Sequence, residues 1–158
     1  MHRTIYRNET GFHALQPEWN ALLHHSTSDT LFLTWEWQTT WWEMLGQGEL
    51  WLIAWHNEEG ATVGIAPHFL TVVDGRRTFS IVGCHEVSDY LNLIVATGHE
   101  ATVCEDLADW LSGPDSPPWE AMDLCNFPET SSLPQRLAHA LQVRGHVVAI
   151  EPEDVCPV

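Results

Sequence analysis

Ser88-Asp89-Tyr90, with Asn92 two residues on, is the stretch of this 158-residue chain whose side chains can do chemistry together. A carboxylate beside a phenol can orient an amine or hydroxyl and take part in proton transfer. The same residues can also serve a fold, with Asp89 capping a turn and Tyr90 packing. Residue types alone leave both readings open. His85 and Glu86, just upstream, extend the stretch into a polar cluster, HExSDY.

Other constellations carry less. The ten histidines include an adjacent pair, His24 and His25, but no H-x-x-x-H or H-E-x-x-H spacing, so no metal site is expected. Ser-His-Asp catalysis lacks a G-x-S-x-G elbow. Cys84, Cys104, Cys125 and Cys156 stand far apart with no C-x-x-C pair, which reads as free buried thiols in a reducing cytoplasm. The balance of 22 acidic residues against 6 basic ones gives a net charge of −16, and all the basic residues are arginine. Phosphate binding needs clustered Lys and Arg, so nucleic acid and anionic membrane are excluded as expected partners. No apolar run approaches the roughly 20 residues of a membrane helix. The two arginines of MHRTIYRNET have no apolar segment behind them, so this stretch is not expected to act as a signal peptide. Membrane insertion is therefore not expected, and a cytoplasmic location is.

The elements that must position these residues follow from periodicity. A short strand is predicted over 3–7 and a helix over 16–26 with Pro17 in its first turn. LTWEWQTTWWEML is a helix capped by Thr34 and ended by Gly46 and Gly48. On its wheel Trp37, Trp41, Trp42, Met44 and Leu45 share one half, opposite Glu36, Thr39, Thr40 and Glu43. That places the tryptophans in a core, not on a sugar-stacking surface. Trp35, at the edge of the apolar arc, is the ring free to line a groove. Four strands follow at 49–56, 61–73, 76–83 and 89–96, with Asp74-Gly75 as a hairpin turn, and they read as an antiparallel meander. A helix over 100–112, a strand over 119–127, a helix over 131–145 and a strand over 146–155 complete the order. This is an α+β sandwich with helices packed on a mixed sheet, an antiparallel meander first and βα units after it.

Three segments in this order resemble the CelD-like (cellulose-biosynthesis-type) acyltransferases of the GNAT superfamily, which are related to Fem-type aminoacyltransferases. They are the aromatic helix from Phe32 through Trp42, Val63-Gly64 with Pro67, and Ser88-Asp89-Tyr90 with Asn92. The match runs from about Leu15 to Ile150. The resemblance implies a GNAT-like fold and an acyltransferase parent moving acyl or aminoacyl groups to an amine or hydroxyl on a polysaccharide or cell-envelope precursor. It also implies that residues 1–158 form a single GNAT-like domain, the N-terminal half of a protein built from two. On that expectation the chain is a fragment, a truncated product or one subunit of a split protein, inactive alone. Its partner would be the C-terminal half or a second subunit, with self-association as an alternative. Ser88, Asp89, Tyr90, Asn92 and Trp35 are the acceptor-groove candidates; the catalytic residues stay unassigned. The competing expectation is a non-catalytic binding module that shapes such a groove with a partner domain.

The family's acyl donor, acetyl-coenzyme A or another, normally sits on a Q/R-x-x-G-x-G/A loop that opens a helix. The nearest string here, Gln142 to Val147, ends in valine and closes a helix, so Gly145 reads as a helix stop. No cofactor is expected in this half.

Overall fold

The computed structural model describes residues 1–84 and 87–153. Strand β1 (His2–Tyr6) leads into helix α1 (Thr10–His24), a 3₁₀ turn (Leu31–Leu33) and α2 (Trp35–Leu45). Then come β2 (Glu49–His56), β3 (Thr62–Val73), β4 (Arg76–Ile81), β5 (Ile94–Val95), α3 (Glu100–Ser112), β6 (Ala121–Asp123) and α4 (Leu133–Val143). The sheet order is β1-β2-β3-β4-β6, antiparallel from β1 to β4 and parallel between β4 and β6. The fold is thus a mixed α+β sandwich.

Leu50 through Trp55 are all buried, because helices cover both faces of β2. Both the even and the odd positions of this strand are therefore apolar. On one face α1 comes so close that a Cβ on Gly11 would lie 2.5 Å from the Tyr6 side chain, while Trp41 and Trp42 of α2 pack on Phe69. On the other face Trp110 of α3 packs against Trp51 and Phe79. Asp106 of α3 accepts hydrogen bonds from Arg3 and from the fully buried Trp55. Strand β1 is thereby tied to that layer.

Several elements depart from the pattern. Helix α1 begins at Thr10 instead of residue 16, with the Asn8 carboxamide accepting from the Thr10 N–H; Pro17 is interior and faces solvent. In α2, Thr34 caps Trp37 as expected, but Gln38 is fully buried beside Trp41 and Trp42. Met44 is 75% exposed and Leu45 40%, because the last turn runs beyond the surface that the helix covers. Of 119–127 only Ala121–Asp123 pairs. The expected final strand does not form among the described residues. His146 instead stacks on Trp119, and Glu153 accepts from the Asn126 N–H. Pro152 in this segment has no N–H to give a ladder. Asp154 and Val155 lie outside the described residues.

The largest correction concerns β5. It is not the fourth strand of a meander. Ile81 at the end of β4 lies opposite His68, the Val82 N–H donates to Pro67, and β5 resumes with Ile94 opposite Ile65. Strands β4 and β5 therefore lie end to end along one edge of β3, and the described residues between them, 82–84 and 87–93, form an excursion from the sheet. Asp89 and Tyr90 sit in this excursion, not at a strand start.

His68 is enclosed beneath the root of the excursion. It is fully buried and hydrogen-bonded through Nδ1 to the Ser80 carbonyl, and its Nε2 has no partner among the described residues. Desolvation pushes its pKa from 6.5 down to about 4, against the smaller opposing pull of Ser80. The unfolded chain then binds a proton near pH 6.5 that the folded chain refuses until about 4, so stability is full above pH 6.5 and falls as pH drops through that window. Denaturant unfolding should show a shallower loss across this window in His68→Gln. Identical slopes would mean that His68 is already charged in the folded state.

Candidate functional site

The excursion is held by Thr30, by α2 and by the Cys125-Asn126 segment. Its root turns at Gly83, φ +102, where a Cβ would lie 2.8 Å from Leu91. Beyond this turn Cys84 is joined to Cys125 by a disulfide, which corrects the reading of both as free thiols. The pairing is a product of topology. Parallel β4 and β6 end side by side, and each reaches its cysteine within three residues. A separation of 41 residues hid it. Cys104 is the free thiol of the described residues; it is buried in α3, and desolvation pushes it up to about 12, so it is no nucleophile. Cys156 lies outside the described residues, as do His85 and Glu86 of the proposed cluster.

Polar contacts then sort the candidate residues. Ser88 is buried: its Oγ accepts from the Trp37 indole at 2.8 Å, and its carbonyl accepts from the Asn126 carboxamide at 2.9 Å. The Leu91 N–H donates to the Asn126 carbonyl at 2.9 Å. Asn126 therefore grips both ends of the Asp89-Tyr90 dipeptide and forces it outward. Thr30 Oγ1 donates to the Tyr90 carbonyl, and Gln38 Nε2 donates to Val82 at the root. Asp89 is exposed and Tyr90 is 43% exposed. Val87, Tyr90 and Asn126 have φ of 59°, 52° and 61°, an uncommon region for residues with a Cβ and a costly one for β-branched valine. Such backbone persists when its surroundings over-determine it, and it gathers at binding and catalytic sites.

The other two candidates are placed differently. Asn92 is fully buried, its carboxamide donating to Ser28 Oγ and Ser131 Oγ and accepting from the Leu93 N–H. It knots three segments together and faces no solvent. Trp35 is half-buried, with its indole N–H on the Phe12 carbonyl and its backbone N–H on Asn20, so it is tied to α1. The structure thus brings together Ser88, Asp89 and Tyr90, with Asn92 behind them. The residues that build the tip, Asn126, Trp37, Gln38 and Thr30, were not legible as a set. Asn126 alone carried a signal, since asparagine tolerates positive φ after a strand. Two surface clefts lie elsewhere, one beside Arg7 and Trp51 and one beside His25 and His99.

Residues 142–147 close α4. The Gly145 N–H donates to Gln142, the His146 N–H donates to Leu141, and Gly145 has φ +89, which together make a helix-stop motif. These amides are spent on helix carbonyls. At the start of α3, the Glu100 carboxylate accepts from the Gly98 N–H.

No protein-family model and no curated protein matches the chain. Among solved structures, that of a "Putative acetyl transferase from Pyrococcus furiosus" matches with a TM-score of 0.52 at 15% identity, over 99% of this chain and 100% of that one. At that identity the likeness is one of fold. The shared fold is a mixed α+β one, a mixed sheet with helices on both faces. Among the described residues no helix is long and apolar enough to cross a membrane.

Proposed function

We propose that this chain is the acceptor-side domain of an acyltransferase, silent alone, whose Asp89-Tyr90 tip holds an amine or hydroxyl acceptor at the rim of a groove completed by a second domain. One observation carries this reading: on an acetyltransferase-like fold, a carboxylate and a phenol are pushed into solvent by a clamp that fixes the backbone on both sides of them. A fixed carboxylate can accept a hydrogen bond from an ammonium or hydroxyl and orient its lone pair after proton loss, with the phenol as the second contact. Exposed Leu31 and Val87 border the tip and would face the completing domain. The resemblance to CelD-like acyltransferases supports a C-terminal GNAT-like half as that domain, with a cell-envelope or polysaccharide precursor as acceptor. The cytoplasm is the proposed location.

Acetyl-coenzyme A does not fit the residues present. The amides of 144–146 are engaged and Glu100 occupies the first turn of α3, so a pyrophosphate would meet carbonyls or a carboxylate there. Calorimetry of the chain with acetyl-coenzyme A should give no heat of binding; micromolar binding would overturn the acceptor-side assignment. Glucosamine, an amine and hydroxyl probe, should shift the NMR signals of Asp89 and Tyr90, and Asp89→Asn with Tyr90→Phe should remove the shifts. Shifts confined to other surfaces would refute the site.

A further inference from the structure

We infer that the Cys84–Cys125 disulfide is a redox latch on the Asp89-Tyr90 tip, held rigid when oxidised and released when reduced. The inference rests on the acceptor-site reading for its purpose, but not for its mechanics. Cys84 stands at the root of the excursion, and Cys125 immediately precedes Asn126. Asn126 makes the two hydrogen bonds that bracket the tip, to the Ser88 carbonyl and from the Leu91 N–H. The covalent bond therefore fixes the gripping residue to the base of the segment that it grips. It lies outside the ladder, since the pairing of β4 with β6 ends at Ser80 and Asp123. Breaking it frees the ends of two strands and leaves the sheet as it was. In a reducing compartment, disulfides are the exception, and those that form there are catalytic or redox-sensing.

The step balances. A dithiol reductant supplies two electrons and two protons, cleaves the Sγ–Sγ bond to two thiols and itself closes to a disulfide. Both cysteines are 3% exposed, so the thiolate attack waits on opening of the excursion, and equilibration must be long.

The test is amide hydrogen exchange on the full chain, before and after dithiothreitol, with peptide mapping to confirm the linked and unlinked states. On reduction, exchange at Leu91 should accelerate about tenfold or more while Ile53, at the centre of the sheet, changes by less than about twofold. Cys125→Ser should show the fast Leu91 exchange without reductant; if that variant does not fold, the dithiothreitol arm alone decides. An unchanged Leu91 after verified reduction would overturn the latch. So would joint acceleration of Leu91 and Ile53, which would make the bond a staple of the whole fold, and so would absence of the linked peptides under oxidised glutathione. No ligand enters the measurement, so the latch and the acceptor site fail separately.

Discussion

Trp41→Ala is expected to lower the free energy of unfolding by about 3–5 kcal/mol. Trp41 is 7% exposed and its ring lies 5.7 Å from that of Phe69, wedged between α2 and the sheet. Truncation would empty a space bounded by a helix capped at both ends and by strands paired on both sides. Neither wall can move in to fill it, so the cavity cost adds to the lost transfer energy. Met44→Ala in the same helix is the contrast, because Met44 is 75% exposed and its loss should stay within about 0.5 kcal/mol. Urea unfolding of both variants checks the pair. A Trp41 effect as small as that of Met44 would put the ring on the surface and revive a sugar-stacking role for the helix.

What could be read from the sequence was what short-range periodicity encodes. Helix α3 came out with its observed ends, because Val103, Leu107, Trp110 and Leu111 repeat at helical spacing and Gly113-Pro114 stop it. Strand β2 did too, as an apolar run between turn signals. Where the signal belonged to tertiary structure, it failed. Gly11 lies ahead of the helix expected from residue 16, yet it stands in the first turn of α1, where Tyr6 and Leu52 leave no room for a side chain. The segment 89–96 is apolar enough for a strand, but Leu91 and Leu93 fill the core from a loop; Ile94 and Val95 pair with β3, and Ala96 bridges to Ser26.

The candidate site was half legible for the same reason. Asp89 and Tyr90 were singled out by chemistry, and the structure exposes both. What presents them is spread over the chain: Thr30, Trp37, Gln38, Cys125 and Asn126 belong to segments that share no sequence pattern. Hydrogen bonds between loops leave no periodic trace. Asn92 fell on the wrong side of this division, since an asparagine beside a polar candidate cluster and an asparagine knotting a core look alike in sequence.

That division sets the second large effect. Asn92→Ala is expected to cost about 2–4 kcal/mol, because it strips partners from three groups at once. Ser28 Oγ and Ser131 Oγ each lose a donor and the Leu93 N–H loses its acceptor, in a place from which water is excluded. Ser131 Oγ also accepts from the Leu133 N–H at the start of α4, so the damage should spread to that helix end. Networks of this kind cost more to break than a single bond, since each orphaned group carries its own desolvation penalty. Asp89→Asn, three residues away but exposed, should change stability by less than about 0.5 kcal/mol while removing the glucosamine response. Denaturant unfolding and the NMR titration, run on both variants, thus separate a structural knot from the proposed acceptor contact. If Asn92→Ala unfolds like the parent chain and loses the probe response instead, Asn92 faces the acceptor after all.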